Sequence, residues 1–219
     1  MPDLLILAQK LAIWALPVLL AITLHEVAHG YVARELGDPT AASLGRLTLN
    51  PIKHVDPVGT VLVPGLLLLL GGFLFGWAKP VPVDYRNLKN PKRDMAIVAI
   101  AGPAVNLVMA LGWALLLKYA LSQDTSAGFW LRIAQISAAG ISINLVLMVL
   151  NLLPMPPLDG GRVAVGLLPM KPAIALSKVE PYGMVILIVL MVTGILSQIL
   201  GPLVGLSQNA ILSLFGIRG

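Results

Sequence analysis

Apolar residues fall in long runs along this chain, too long and too evenly apolar for the one-sided stripe of a soluble surface helix. The first run extends from about Leu4 to Leu36. As a helix it would measure about 50 Å, against about 30 Å for a hydrocarbon core. Pro17 predicts a kink, and Gly37-Asp38-Pro39 predicts the stop. Residues 37–56 are polar, with turn signals at Asn50-Pro51 and Asp56-Pro57. A second run, 58–78, is interrupted by Pro64, Gly65, Gly71, Gly72 and Gly76, and a basic loop, 79–94, follows it. Further runs cover 95–121 and 129–153. Pro154, Pro156 and Pro157 then end a helix abruptly, and a last run covers 182–206. Asn209–Ile217 is expected to form a short interfacial helix. The pattern predicts an all-α polytopic membrane protein of about four transmembrane helices plus a re-entrant segment at 58–78. Residues 1–219 are read as a single membrane-embedded domain, with a core of about 4–168 and an accessory C-terminal helix of about 182–206.

Composition sharpens this picture. Of 219 residues, 58% are hydrophobic and 11% charged, less than half the charged share of a typical soluble domain, about 25%. The net charge of +5 sits in loops, without the compact basic and aromatic surface that nucleic-acid binding needs. There are no cysteines, so disulfides and thiolate metal sites are excluded, and any transition-metal site must use His, Asp or Glu. The first apolar run does not read as a cleaved signal peptide: it continues without a small-residue cleavage site, and Asp3 stands where a basic start is usual.

The chemistry concentrates in HEVAHG, residues 25–30. His25 and His29 are four apart, so on a helix they share a face and can hold one zinc ion, while Glu26 is placed to reach a metal-bound water. Ahead of Glu26 the chain carries only Asp3 and Lys10 as charges. If the hydrocarbon boundary lies near Arg34, His25 is about 14 Å deep. Ionisable groups at that depth are costly, which weakens the bland reading of two coincidental histidines. Two His and one carboxylate leave a fourth position for water, whose pKa the metal lowers to about 7. Glu26 as general base would then support peptide-bond hydrolysis.

The third ligand is assigned to Asp159, which follows an apolar run directly and sits after prolines that free backbone to turn it inward. A helix N-cap is its ordinary reading. Asp38, Asp56, Asp84 and Asp94 read as solvated loop acids. His54, in NPIKHVDP, is the rival ligand, although a loop histidine is more often surface or a hydrogen-bond partner. Asn106, Asn144 and Asn151 read first as interhelical hydrogen-bonding residues; a contact with substrate backbone or an oxyanion is the sharper reading for Asn106 or Asn151.

One metal site requires the ends of the first and fourth apolar runs on one side, which holds if 58–78 dips in and returns. That arrangement puts eleven Lys and Arg on the site face and four (Lys10, Lys118, Arg132 and Arg218) on the other. If 58–78 spans, the split is eight or nine against six or seven. The positive-inside rule favours the lopsided arrangement and a cytoplasmic active-site face.

HEVAHG at the end of an apolar helix, AGPAVN at 101–106 and NLLPMPPLDGG at 151–161 resemble the site-2 protease family of intramembrane zinc metalloproteases, peptidase family M50. NPIKHVDPVGT (50–60) and GWAKPVPVD (76–84) resemble its compact bacterial branch. The similarity runs from about residue 20 to about 165. It implies a zinc metalloendopeptidase with one Zn2+ per chain, held by His25, His29 and Asp159, with Glu26 catalytic. It also implies a three-helix catalytic core, a multi-pass location in the bacterial inner membrane, and membrane-protein substrates cut in or near their transmembrane helices. No PDZ or cystathionine-synthase-like regulatory domain is expected. The competing readings are a membrane metal transporter and a non-catalytic scaffold using the same His/Asp cluster. Neither explains a Glu directly after the first His.

Overall fold

The computed structural model describes residues 2–57, 59, 79–124, 126 and 128–217. The expected re-entrant segment, 58–78, lies outside them apart from Gly59.

Helix α1 (Pro2–Glu35) runs through Pro17, whose ring is buried, and ends as its sequence predicts. Gly37 takes φ 116°, the Asp38 N–H donates to Ala33 O (2.9 Å) and the Gly37 N–H to Arg34 O (3.1 Å). That pair of bonds is a Schellman stop, which needs a residue without Cβ at the reversal. A one-turn helix, α2 (Thr40–Ser43), follows, then a 3-10 turn at Pro51–His54 capped by the Asn50 side chain. A second 3-10 turn, Tyr85–Asn87, is capped by Asp84 and leads into α3 (Pro91–Leu121), which begins with proline at its first position. Helix α4 covers Phe129–Asn151, α5 Asp159–Leu167, α6 Met170–Ser177, α7 Glu180–Val192 and α8 Ile195–Leu214.

Four of these helices are long and apolar enough to cross a membrane: α1 from Ala8, α3, α4 and α8. The chain is an all-α polytopic membrane protein. The last crossing differs from the sequence expectation, because the run 182–206 is broken at Gly194 (φ 77°). Helices α6 and α7 form a pair bent by 61°, and α8 continues as one helix through the stretch expected to be a separate interfacial piece.

Helices α1, α3 and α4 form the centre. The buried face of α3 is lined with Ala96, Ala99, Gly102, Ala110, Ala114 and Ala120, and small residues let helix backbones approach where no hydrophobic force separates side chains from lipid. Ile141 and Leu145 of α4 fill the space opposite Ala110, Ala114 and Leu117, and Ile211 of α8 joins them. Gly140 of α4 lies flat against the Trp113 ring, with no room for a Cβ. On the outer surface Leu11, Val108 and Leu115 are each at least 60% exposed, as lipid-facing residues are.

The ends of the helices sort by side. The Lys89 N–H donates to Leu36 O (3.2 Å), joining the exit of α1 to the approach to α3. Tyr119 and Trp130 meet edge to face at 5.4 Å where α3 hands over to α4. Helix α4 therefore ends back on the side where α1 ended. His54 and Lys79, which flank the undescribed segment, are bonded through Lys79 N–H to His54 O (2.9 Å), so both flanks sit together.

Asp38 and Asp94 are not solvated: they are 0% and 3% exposed. Asp38 accepts from Asp84 N (2.8 Å), Asn87 Nδ2 (2.9 Å), Thr40 N (3.1 Å) and Thr40 Oγ1, which staples the loops to the end of α1. Burial pushes its carboxyl up, but these donors outweigh burial and hold it below the ordinary value of 3.8. Asp94 accepts from Asn90 N (2.8 Å), closing the first turn of α3.

Candidate metal centre

His25 and His29 face α3 from one side of α1 and are buried. Asp159 comes from the first residue of α5, so it is not the N-cap; that position is Leu158. Its approach depends on the two glycines after it. A Cβ on Gly160 would strike the carbonyls of Leu152 and Leu153, and one on Gly161 the backbone of Met155 and Pro156. The prolines fold the chain back over its own next turn, and only glycine fits beneath the fold.

The three donor atoms form a nearly equilateral triangle. His25 Nε2 and His29 Nε2 are 3.0 Å apart, and Asp159 Oδ2 lies 3.1 Å from the first and 3.2 Å from the second. Tetrahedral zinc with bonds of about 2.0–2.1 Å spaces its donors by about 3.3 Å. Gly102 of α3 faces this triangle: a Cβ there would lie 2.5 Å from His25 Cε1 and 2.5 Å from His29 Nε2. Among the described residues no other group of three such donors converges.

The hydrogen-bond partners of the rings bear on whether the triangle can hold a cation. His29 Nδ1 is 2.8 Å from Val98 O, and a carbonyl only accepts, so Nδ1 carries hydrogen. The same logic runs through the asparagines. Asn144 Nδ2 donates to Gly140 O (2.8 Å), leaving its Oδ1 to accept from Asn106 Nδ2 (2.8 Å), which also approaches Ala21 O (3.3 Å). Asn106 Oδ1 is thereby turned toward His25 Nδ1 at 2.5 Å, which must donate. In the neutral rings both Nε2 atoms are therefore bare lone pairs. The 3.0 Å between them is no hydrogen bond, and Asp159 Oδ2 is a buried atom without a donor. With both rings neutral, three acceptors converge with no hydrogen among them. Such a set is stable at depth only with positive charge at its centre.

Glu26 sits beside the triangle, its Oε2 accepting from the Val81 N–H at 2.6 Å. His54 is drawn elsewhere: buried, with Nε2 on Thr48 O (2.9 Å), it serves the loop and is not in the cluster. Asn151 Nδ2 bonds Leu147 O (3.0 Å) within its own helix.

Comparison with known proteins fits this architecture. The chain is 43% identical over 200 residues to the Bacillus subtilis (strain 168) protein named "Putative zinc metalloprotease YwhC", covering 90% of this chain and 88% of the relative. The chain belongs to peptidase family M50, the site-2 protease family. The family model for peptidase family M50 matches residues 121–194, the stretch that carries Asp159. "Putative zinc metalloprotease Rip2" of Mycolicibacterium smegmatis is 34% identical over 181 residues, 82% of this chain and 66% of that protein. A Mycobacterium tuberculosis (strain H37Rv) protein of the same name is 33% identical over 78% of this chain and 63% of its own length. No solved structure matches the chain.

In this M50 chain Asn144 makes the interhelical bond expected of it, while Gly102 and Val81 carry roles the sequence did not assign. Asn144 orients Asn106, Gly102 leaves space for the imidazoles, and the Val81 N–H meets Glu26. AGPAVN places Gly102 in the same buried helix as Asn106. A backbone N–H between two prolines gives no sign of itself in sequence.

Proposed function

We propose that this M50 chain hydrolyses peptide bonds in or near transmembrane segments of other membrane proteins. It acts as a single membrane-embedded unit: a core of about residues 4–168 with the C-terminal helices as accessories. The observation that carries the reading is the triangle of His25 Nε2, His29 Nε2 and Asp159 Oδ2, spaced 3.0–3.2 Å apart beside a carboxylate. His25, His29 and Asp159 would hold one zinc ion per chain. When bound, the ion supplies Lewis acidity toward a carbonyl and lowers the pKa of water to about 7. Glu26 takes a proton from the attacking water and returns it to the leaving amine. Asn106 and Val98 hold the two rings with Nε2 inward, so the ligands do not need to reorient. The Lys and Arg asymmetry orients the site toward the cytoplasm. A substrate helix must unwind locally, because its peptide bonds are hydrogen-bonded and shielded.

The test combines metal content with cleavage of a panel of labelled single-pass membrane proteins. Glu26→Gln should keep its metal and lose cleavage; Asp159→Ala should lose both. Cleavage surviving in Glu26→Gln, or metal surviving in Asp159→Ala, refutes the assignment.

A further inference from the structure

Glu26 is not held by its own helix. Among the described residues its Oε2 accepts one hydrogen bond, from the backbone of Val81, at 2.6 Å. The segment that brings this N–H reads Lys79-Pro80-Val81-Pro82-Val83. Proline has no N–H, so Val81 presents the single donor between two residues that cannot compete for the carboxylate.

Several contacts fix that donor. The Lys79 N–H donates to His54 O at 2.9 Å. Arg46 Nη2 donates to Lys79 O at 3.0 Å and to Pro80 O at 3.3 Å, gripping the two carbonyls just before the Val81 N–H. Below, the Val81 side chain rests on Gly30, the last residue of HEVAHG. A Cβ at Gly30 would lie 2.8 Å from Val81 Cγ1 and 2.6 Å from Leu47 Cδ2. Beyond, the Asp84 N–H is tied to Asp38 at 2.8 Å. The segment is clamped from above by a guanidinium, seated on a glycine and anchored at both ends.

We infer that Arg46 is a positioning residue for Glu26: by fixing the carbonyls of Lys79 and Pro80 it aims the Val81 N–H at one carboxylate oxygen, leaving the other to face the reacting water. This inference rests on the proposed role of Glu26. A base held by one charge-assisted hydrogen bond loses its alignment when the donor moves by about 1 Å, and misplacement of that size costs about a hundredfold in rate. Arg46 touches neither ligand nor carboxylate, so its loss should leave metal binding intact. Lysine, a point charge without the planar fork, can satisfy one carbonyl and should recover part of the effect.

Two measurements on the full chain in detergent test this. The first is amide hydrogen exchange at Val81, set apart from neighbouring amides by its flanking prolines. Exchange should be protected in the wild type and at least about tenfold faster in both Glu26→Ala and Arg46→Ala. Protection unchanged in both variants would overturn the inference. The second is turnover of whichever panel substrate the wild type cleaves. Arg46→Ala should lower kcat about ten- to hundredfold with KM within about twofold and zinc content unchanged, and Arg46→Lys should fall between. If Arg46→Ala does not fold, Val81→Pro removes the same N–H directly and should give the same split. Unchanged kcat, or a rise in kcat that would mark the contact as an inhibitory latch, refutes it. Wild-type turnover in Glu26→Gln would instead sink the proposed function. A dead Glu26→Gln beside fully active Arg46→Ala and Val81→Pro would sink only the present inference.

Discussion

Gly102→Ala isolates the centre from the rest of the fold. The new methyl would sit 2.5 Å from His25 Cε1, 2.5 Å from His29 Nε2 and 2.6 Å from His25 Nε2. Non-bonded carbons prefer about 3.5–4.0 Å, so each ring must retreat by about 1 Å. Neither is free to do so. His25 is held through Nδ1 at 2.5 Å and His29 at 2.8 Å, and a further ångström breaks those bonds. Overpacking costs about 1–3 kcal/mol, and a buried polar group left unpaired about 1–3 kcal/mol more. A total of about 2–6 kcal/mol corresponds to at least about a 30-fold loss of metal affinity. Alanine is also the better helix former by up to about 1 kcal/mol, so α3 itself should not suffer. The assay is competition of the purified protein against a calibrated zinc chelator, with circular dichroism to follow helicity. Gly112→Ala on the same helix, where a Cβ meets nothing within 4 Å, is the control and should bind as the wild type. Wild-type zinc affinity in Gly102→Ala would refute the geometry on which the metal centre rests.

Other outcomes follow from the same contacts. Asn106→Ala removes the acceptor from His25 and should weaken zinc binding about 10- to 100-fold by chelator competition while the chain remains inserted. His54→Ala should leave zinc content unchanged and lower thermal stability by about 1–2 kcal/mol, since its buried ring supports the Thr48 loop. Stripping the metal with a chelator should lower the unfolding temperature, with about 2.7 kcal/mol restored at a free zinc concentration of 100 times Kd. Asp38→Asn should destabilise the protein by about 1–2 kcal/mol at pH 7 in chemical denaturation. Because the folded carboxyl of Asp38 lies below 3.8, its contribution is complete above about pH 4 and disappears as pH falls through the lower folded value. The gap between wild type and variant should close only in that acid range.

What the sequence disclosed was mostly local. The end of α1 could be read from Gly37 and the abrupt end of α4 from the prolines before Asp159, because each is settled by neighbouring backbone chemistry, whereas α3 begins at Pro91, inside the loop expected over 79–94. Pairing His25 and His29 needed only the helical repeat. Asp159 needed a parity argument about sides, and α4 does end on the side where α1 ended. Asp94 was misjudged although its partner Asn90 is near, and Asp38 depends on distant partners. Asp38 is buried because Asp84 and Asn87, more than forty residues later, come to it. The break at Gly194 was hidden by an apolar run that hydropathy averages across, although Thr193-Gly194 is itself a stop signal.

The amide chain from Asn144 through Asn106 to His25 has a head and a tail, and helix carbonyls choose which is which. Folding therefore settles the imidazole tautomers before an ion arrives. Ligand ordering is spent in building the bundle, so capture of zinc is governed by access and desolvation rather than by rearrangement. A metal-stripped protein should display ring dynamics close to those of the loaded one.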